Sequence, residues 1–489
     1  MSIVTEQSVI AAVAKDLYLD GRWLTAAGGR TFGVEDPATG KELARVADAS
    51  PSDGLAALDA AARAQPAWAA TAPRERGEIL RRAYQGLVDR TEELALLMTL
   101  EMGRPLAESR GEVAYAAEFL RWFSEEAVRV DGGYGTAPAG NGGRVLVMRQ
   151  PVGPVLLITP WNFPLAMATR KIGPALAAGC TVVLKPADQT PLTALALTQV
   201  LADAGVPAGV LNVITTTAAG AVVEPLILDG RARKLSFTGS TAVGRRLLRQ
   251  CAEHVLRTSM ELGGNAPFVV FDDADLDEAV EGALLAKMRN AGEACVSANR
   301  FLVQRGVADE FASRLSARAA ALPLGRGTRD DVRLGPLISA VAVEKVDGLV
   351  SEAVRRGARV LTGGAPEPGP GHFYPATVLT DVPPGTRLLA EEIFGPVAPI
   401  TVFDTEDEAV REANDTEFGL VAYLYTSDLN RALRVSERLE TGMVGLNQGV
   451  VANPAAPFGG VKQSGLGREG GPTGIDEYLE TKYVATTLR

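Results

Sequence analysis

A regular alternation of short apolar runs and helical patterns across residues 152–255 constrains the fold of this chain most strongly. The apolar runs are VGPVLLI (152–158), TVVLKP (181–186), LNVIT (211–215) and KLSFTGS (234–240). The helical patterns that separate them lie near residues 165–178, 191–204, 219–228 and 241–255. Since parallel strands are joined by helical crossovers, the alternation predicts a doubly wound, Rossmann-like parallel sheet of the α/β class.

A second alternation follows and predicts a second α/β domain. Its apolar runs are PFVVF (267–271), RFLVQ (300–304) and APITVF (398–403), and residues 311–322 have a helical pattern. A length of 489 residues is also too great for one compact core. Upstream, residues 74–100 predict an amphipathic helix whose buried face carries Ile79, Leu80, Tyr84, Leu87 and Val88.

Two further segments are too short to form a core of their own. The glycine-rich segment 131–150 turns β-branched towards its end, and the C-terminus reads EYLETKYVATTLR. They fit an extended arm that pairs with a partner subunit and fit a surface hairpin equally well.

Charge and cysteine content exclude several classes of function. A net charge of −10 and a pI near 5.1 argue against a nucleic acid or a membrane surface as partner. Three cysteines and two histidines without a CxxC pair provide neither a Cys/His metal site nor a disulfide framework. The N-terminus shows no secretory signal. We therefore expect a cytoplasmic protein that acts on a small molecule.

Two glycine-bearing segments compete for a phosphate. GLGREG (465–470) matches the dinucleotide fingerprint literally, but only 19 residues follow it, too few for a βαβ unit. FTGSTAVG (237–244) instead carries a strand through Gly239 and Ser240 into a helix, whose N-terminus favours an anion. This second segment predicts pyrophosphate binding, with an ordinary glycine turn as the alternative.

Two loops follow strands at the edge where open α/β sheets bind ligands. KPADQTP (185–191) offers Lys185 and Asp188 to ribose hydroxyls. An ordinary surface lysine before a proline turn is an equally good interpretation of this segment. TPWNFP (159–164) fixes Asn162 between prolines, where its amide could donate to an oxyanion. An Asx turn is the alternative for Asn162.

Three further side chains are candidates for chemistry. Cys295 lies among small residues in NAGEACVSANR, although a buried structural cysteine is the usual interpretation of a single cysteine. Glu261 lies in the apolar, glycine-rich MELGG, where desolvation would raise the pKa of a carboxyl group towards that of a general base. Glu392 in EEIFGP is another carboxylate beside a turn.

Seven motifs in this order resemble the aldehyde dehydrogenase family over essentially the whole chain. They are TPWNFP, KPADQTP, FTGSTAVG, MELGG, NAGEACVSANR, EEIFGP and PFGGVKQSGLGREG. Within the family, RNAGEACVSANR, TRKIGPALAAGCTVVLKPA and GIDEYLETKYV look most similar to the succinate-semialdehyde dehydrogenase branch.

The resemblance implies a role for each candidate. Cys295 would attack the aldehyde to give a thiohemiacetal, whose oxyanion the Asn162 amide and the Cys295 backbone N–H would hold. After oxidation to a thioester, Glu261 would activate the water that releases the acid. The cofactor, NAD+ or NADP+, would contact Thr159, Pro160, Trp161, Lys185, Asp188, Gly239, Ser240, Gly244, Leu262, Glu392 and Phe394.

The resemblance also implies a substrate. Arg170 and Arg289 match positions that bind the distal carboxylate of succinate semialdehyde, and Asn453 and Phe458 complete the substrate contacts. Asn453 and its neighbour occupy the place of a serine that helps to hold this carboxylate. Glutarate semialdehyde or an uncharged aldehyde therefore remains the alternative substrate.

Two more features bear on cofactor and catalysis. Asp188 would repel a 2′-phosphate, which favours NAD+ slightly over NADP+. Glu293 stands where the family usually has glutamine, and its charge is expected to raise the pKa of Cys295 and so to slow thiolate formation.

The resemblance finally implies a division of the chain. A cofactor domain would combine residues 1–129 and 151–257, and a catalytic domain would span 258–470. An oligomerisation arm of residues 130–150 and 471–489 would make a homodimer or homotetramer.

Overall fold

The computed structural model describes residues 5–139 and 142–487. Its helices are α1 (Glu6–Ala12), α2 (Pro51–Ala70), α3 (Pro73–Asp89), α4 (Thr91–Met102), α5 (Leu106–Glu126), α6 (Pro164–Ala178), α7 (Pro191–Asp203), α8 (Ala219–Leu228), α9 (Thr241–Ala252), α10 (Leu276–Met288), α11 (Ala308–Ala320), α12 (Ala340–Arg355), α13 (Arg387–Ala390), α14 (Glu406–Asn414) and α15 (Leu429–Arg438). Short 3-10 helices span Ala27–Gly29, Arg289–Gly292, Arg305–Val307 and Pro472–Tyr478.

The strands are β1 (Leu17–Leu19), β2 (Arg22–Leu24), β3 (Thr31–Asp36), β4 (Lys41–Ala47), β5 (Gly133–Thr136), β6 (Gly143–Pro151), β7 (Val155–Ile158), β8 (Val182–Lys185), β9 (Leu211–Val213), β10 (Lys234–Thr238), β11 (Arg257–Glu261), β12 (Ala266–Val270), β13 (Ala298–Gln304), β14 (Arg359–Thr362), β15 (Thr377–Thr380), β16 (Val397–Phe403), β17 (Phe418–Gly419), β18 (Val421–Tyr425), β19 (Met443–Leu446), β20 (Val461–Lys462), β21 (Gly465–Leu466) and β22 (Leu479–Thr487).

The first sheet has eight strands in the order β2-β1-β9-β8-β7-β10-β11-β21. Strands β7 to β11 are mutually parallel, and a helix links each of them to the next in the chain. In this order β7 lies beside β10. From β7 the chain adds β8 and β9 on one side of the sheet, and it then continues with β10 and β11 on the other side. A crevice at such a switch point is where doubly wound sheets bind ligands. The predicted α/β fold is confirmed.

The second sheet repeats the design with seven strands in the order β14-β15-β16-β13-β12-β18-β19. Strands β12, β13, β16, β18 and β19 are parallel, and β14 adds an antiparallel edge. The strands at its centre are buried along nearly their whole length, which explains why their sequences read as continuous apolar runs.

The single amphipathic helix predicted over residues 74–100 is wrong in one respect, because the structure has two helices there. Helix α3 ends at Asp89, and Arg90 breaks the helix with a φ of −107° and a ψ of 21° before α4 begins. Ile79, Leu80 and Leu87 are buried as expected, but Val88 is 40% exposed at the end of α3.

The segment 130–150 and the C-terminus come together in a separate antiparallel sheet with the order β22-β6-β5. Strand β22 pairs along its full length with β6, from Leu479 opposite Pro151 to Thr487 opposite Gly143. The boundaries predicted at residues 1 and 489, and residues 140 and 141 within the arm, lie outside the described residues. The division into domains remains a proposal.

Candidate active site

A cavity of about 600 Å³ opens at the carboxyl ends of β7 and β10, at the switch point of the first sheet, and reaches the second sheet. Most of the predicted site residues line it together. They are Pro160, Trp161, Asn162, Arg170, Gly239, Ser240, Glu261, Leu262, Arg289, Cys295, Glu392, Phe394 and Phe458. Sequence positions up to 298 residues apart therefore meet in one space, because the carboxyl ends of β7 and β10 face the segments that precede β12, β13 and β16.

The helix N-termini at this edge are not equally available to an anion. The start of α6 donates the Leu165 and Ala166 N–H groups to Glu112, each at 2.9 Å, and the start of α7 donates two N–H groups to Glu101. Helix α9 begins after Ser240 without a side-chain cap, and Gly239 and Ser240 line the cavity. Of these three N-termini, α9 is thus the one open to a phosphate.

Cys295 lies in a backbone loop that is bent sharply before it. Asn290 and Ala291 have φ values of 54° and 52°, in the left-handed region that non-glycine residues seldom occupy. The Cys295 side chain is half-buried at the cavity wall. Burial raises the pKa of its thiol to about 12, Arg170 opposes that rise, and the carboxylates of Glu392 and Glu261 add to it. The thiol is therefore protonated at rest.

Asn162 is buried beside this loop, and hydrogen bonds hold both its side-chain amide and its backbone carbonyl. Its Nδ2 donates to the carbonyl of Glu293 at 3.0 Å. Its own backbone carbonyl accepts from Arg104 at 2.6 Å and from Asn290 Nδ2 at 3.0 Å. The second Nδ2 proton of Asn162 remains for an oxygen at the Cys295 end of the cavity.

Glu261 ends strand β11 and is buried, and neither carboxylate oxygen has a hydrogen-bond partner among the described residues. Burial raises the pKa of Glu261 well above its usual range, and the nearby negative charge of Glu469 adds to the shift. Both oxygens lie in the cavity without a partner, so the ionised form of this carboxyl group can accept a proton from water, and the raised pKa makes it a stronger base.

Behind Glu261 lies a cluster of buried charges formed by Arg170, Lys171 and Glu469, which we call the buried charge cluster. Arg170 Nε lies 2.6 Å from Glu469 Oε2, Lys171 pairs with Glu469 Oε1, and these side chains are at most 4% exposed. Burial would raise the pKa of Glu469, but Lys171 and Arg170 hold it below its usual range. The charge of Arg170 is therefore largely neutralised inside the protein.

Arg289 also lines the cavity, but it has a different environment. It follows α10, is half-buried, and its guanidinium lies 5.7 Å from the centre of the Phe163 ring. Within residues 5–139 and 142–487 it makes no ion pair. Its donors can therefore take a ligand carboxylate without first breaking an internal bridge.

The remaining wall suits a flat, polar ligand. Glu392 Oε1 accepts from the Gly264 N–H at 3.1 Å, and the Lys345 ammonium holds the Glu392 carbonyl at 2.8 Å. Phe394, with a φ of 54°, meets Trp161 edge to face at 5.4 Å. This combination offers a ribose acceptor beside an aromatic wall.

Five predicted residues do not line the cavity: Thr159, Lys185, Asp188, Gly244 and Asn453. Gly244 lies under the wall, where an added Cβ would come within 2.4 Å of Leu262. Lys185 and Asp188 lie close together at the end of β8; burial lowers the pKa of Lys185, and Asp188 opposes that shift. Thr159 donates its backbone N–H to the Lys185 carbonyl.

Asn453 is exposed and points away from the cavity. Its Oδ1 accepts from the Ala455 N–H at 3.0 Å in a local turn, and the neighbouring Ala452 lines the cavity in its place. An asparagine followed by proline readily forms such a turn, which satisfies its side chain locally.

Glu293, which precedes Cys295 in the same loop, is fully buried, and its Oε1 accepts from the Ile338 N–H at 3.0 Å. Burial raises its pKa well above the usual range, and the Ile338 hydrogen bond opposes that shift. The effect of its charge on the Cys295 thiol stays a prediction. A protonated carboxyl group can replace the amide of glutamine without charging the loop.

Sequence reasoning missed the side of the cavity that helix α5 provides. Arg104, Glu108, Glu112 and Tyr115 all line the cavity from this helix or the residue pair before it. Their spacing of three or four residues marks one helical face. The sequence signal that could have revealed this wall is the placement of Glu108, Glu112 and Tyr115 on one face of α5.

Comparisons with known proteins agree with this geometry. The family model described as "Aldehyde dehydrogenase family" matches residues 23–484. A succinate-semialdehyde dehydrogenase of Paenarthrobacter nicotinovorans is 61% identical over 442 residues, covering 90% of this chain and 98% of that protein. A glutarate-semialdehyde dehydrogenase of Pseudomonas aeruginosa is 51% identical and covers 96% of both chains.

A solved structure described as an Escherichia coli NADP dependent enzyme superimposes with a TM-score of 0.97 at 50% identity, over 99% of this chain and 100% of that one. The chain belongs to the aldehyde dehydrogenase family. The resemblance carried by the seven motifs is confirmed. Enzymes of this family oxidise aldehydes with NAD(P)+.

Within residues 5–139 and 142–487, no helix combines the length and the apolar character that crossing a membrane requires. No group of three or more His, Cys, Asp or Glu side chains in the same ranges is arranged to hold a metal ion.

Proposed function

We propose that this chain oxidises succinate semialdehyde to succinate. The observation that carries the proposal is Arg289, an unpaired guanidinium in the wall of the cavity that also holds Cys295. A short aldehyde with a carboxylate at its far end would present its aldehyde to Cys295 and its carboxylate to Arg289. The similarity to succinate-semialdehyde dehydrogenases supports the same substrate.

The residues act in a fixed order in this proposal. Cys295 attacks the aldehyde carbon as a thiolate, and its thiol proton passes to the ionised Glu261 carboxylate in the same cavity, which returns it to solvent before hydrolysis. The Asn162 amide and the Cys295 backbone N–H donate to the oxyanion that forms. Once the thiohemiacetal has become a thioester, Glu261 accepts a proton from the attacking water and the acid is released.

The cavity also fits a nicotinamide cofactor, which would supply the hydride acceptor. The open N-terminus of α9 would take the pyrophosphate, and Glu392 in the cavity wall would take the hydroxyls of one ribose. Lys185, at the end of β8 and outside the cavity lining, would take those of the other ribose. Lys185 Nζ forms no hydrogen bond within the described residues, so its protons are free for this.

The choice between NAD+ and NADP+ turns on Asp188. It is half-buried near Lys185, where its carboxylate can accept from ribose hydroxyls and repels a 2′-phosphate. We propose a slight preference for NAD+. A structural neighbour described as NADP dependent supports the opposite preference, so both cofactors belong in the test.

Glutarate semialdehyde is the second candidate, favoured by the exposed position of Asn453. The Asn453 side chain bonds within its own turn and does not line the cavity. The part of the cavity that would bind the substrate carboxylate therefore lacks this polar group and could take a longer substrate. The 51% identical glutarate-semialdehyde dehydrogenase supports this alternative.

The test is an initial-rate panel with succinate semialdehyde, glutarate semialdehyde and butanal, each with NAD+ and with NADP+. We expect the highest kcat/KM with succinate semialdehyde, and no turnover in Cys295→Ala with any substrate. Equal kcat/KM for butanal and both semialdehydes would mean that no carboxylate is recognised. A higher value for glutarate semialdehyde would select the second candidate.

We also propose a homodimer or homotetramer and a cytoplasmic location. The sheet of β22, β6 and β5 exposes apolar side chains that a partner subunit could cover; Tyr134 is 70% exposed and Tyr483 is 62% exposed. The net charge of −10 and the free cysteines suit a reducing, water-filled compartment. Light scattering of the purified protein would measure the oligomer.

A further inference from the structure

Arg104 lies in the short link between α4 and α5, and three partners hold it inside the protein. It is 2% exposed and forms an ion pair with Glu112. One of its terminal N–H groups donates to the backbone carbonyl of Asn162 at 2.6 Å. Its guanidinium also lies 4.9 Å from the centre of the Phe163 ring. Two of these partners are Asn162 and the residue that follows it.

The carbonyl that Arg104 holds sets the direction of the Asn162 side chain. Residues 159–163 form a loop without regular structure between β7 and α6, so no helix or strand ladder fixes this peptide. A charged donor at 2.6 Å is a short, strong hydrogen bond. A fixed carbonyl restricts the rotation of the Asn162 backbone, and the backbone orientation in turn sets the direction in which the side-chain amide leaves the loop.

Arg104 is itself held in place by a rigid element. Glu112, its ion-pair partner, is on α5 and also accepts the Leu165 and Ala166 N–H groups at the start of α6. One carboxylate therefore ties α5 to the end of the loop that carries Asn162, while Arg104 ties α5 to the middle of that loop. A donor aimed in advance at a developing charge needs this kind of support.

We propose that Arg104 is a positioning residue that aims the Asn162 amide at the oxyanion. This inference rests on the proposed function, since it requires Asn162 to donate to the substrate oxygen. Arg104 acts through the Asn162 backbone and does not itself contact the reacting atoms.

The test is a double-mutant cycle on kcat with succinate semialdehyde and with butanal. Removing one oxyanion donor lowers kcat by about 10²–10³-fold, which we expect for Asn162→Ala. Arg104→Met should lower kcat about tenfold or more, with the KM for the cofactor nearly unchanged, because a misplaced group loses rate without losing binding. In the Asn162→Ala background, Arg104→Met should change kcat less than about twofold, since no amide remains to be aimed.

Arg76→Met is the matched control. Arg76 is a buried arginine of the same helical layer that donates to the Ala177 carbonyl at 3.0 Å, away from the cavity. It should lower thermal stability as Arg104→Met does and leave kcat within about twofold. If Arg104→Met does not fold, Arg104→Lys, which keeps the charge and one donor, takes its place in the cycle.

The outcomes separate the two proposals. If Asn162→Ala keeps wild-type kcat, the oxyanion role of Asn162 falls, and the positioning role of Arg104 falls with it. If Asn162→Ala is impaired but the Arg104 variant loses the same factor in both backgrounds, Asn162 stands and Arg104 is only structural.

Discussion

Arg170 and Arg289 look equivalent in the sequence, and the structure gives them opposite environments. Arg170 belongs to the buried charge cluster, where Glu469 lies 2.6 Å from it, and it stacks on Phe458 at 4.1 Å. Arg289 lies against Phe163 at the cavity wall and makes no ion pair within the described chain. A guanidinium recognises a ligand carboxylate when the protein has not already supplied one. This difference supports the proposal that Arg289 binds the substrate carboxylate, and it gives Arg170 a different expected role, in the buried charge cluster.

The largest effect should come from breaking the buried charge cluster with Glu469→Gln. Removing one member of a buried ion pair leaves charges without a partner and costs about 3–5 kcal/mol. Here Arg170 and Lys171 would both lose their carboxylate, so we expect a clearly lower denaturation midpoint. Glu417→Gln is the control, because its 3.0 Å pair with Arg245 is about half exposed and should contribute under about 1 kcal/mol. Equal shifts of the denaturation midpoint in the two variants would mean that the buried charge cluster contributes no more stability than an exposed ion pair.

The next effect separates the two arginines by substrate. Arg289→Met should lose about 1.5–3 kcal/mol of transition-state binding, roughly ten- to 150-fold in kcat/KM, on succinate semialdehyde and much less on butanal. Arg170→Met should reduce both substrates by a similar factor, because it disturbs the cluster behind Glu261 and Cys295. Initial rates with both aldehydes measure this. The reverse pattern would mean that Arg170 leaves Glu469 to bind the substrate.

A smaller effect is the pH dependence of turnover. The pKa values of Cys295 and Glu261 are both raised, so the reactive, deprotonated forms increase as pH rises through neutrality. Below these pKa values, kcat should increase by up to about tenfold per pH unit, about 1.4 kcal/mol. A kcat profile that falls with rising pH between 6.5 and 8.5 would exclude both assignments.

Glu261→Gln should show a single burst of NADH and then stall at the thioester.

The smallest effect belongs to Glu293→Gln. Because burial raises the pKa of Glu293 and so favours its neutral form, exchange for the isosteric amide should change kcat/KM less than about threefold near pH 7. The rate at which iodoacetamide alkylates Cys295 should change as little. A several-fold faster alkylation in the variant would show that Glu293 is charged and restrains the thiol after all.

The sequence predicted the fold better than it predicted the charges. The runs at 155–158, 182–185, 211–213 and 234–238 are strands because each is short, apolar and followed by a helical pattern, and such local signals need no knowledge of contacts. The break at Arg90 left no signal of that kind, since no proline or glycine marks it.

The pairing of Arg170 with Glu469 could not be predicted from the sequence for a different reason. The two residues are 299 positions apart, and Glu469 lies in GLGREG, a segment that the sequence marks only as a false fingerprint for phosphate. Whether an arginine is free depends on tertiary contacts. The sequence could propose that both arginines recognise a carboxylate, and only the fold can separate them.

The carboxylates of Glu112 and Glu101 at the starts of α6 and α7 determine how anions compete with the cofactor. Each occupies a helix N-terminus that would otherwise attract phosphate, whereas α9 has no side-chain cap and opens into the cavity. Inorganic phosphate or sulfate that binds at α9 is therefore expected to compete with the pyrophosphate of the proposed cofactor.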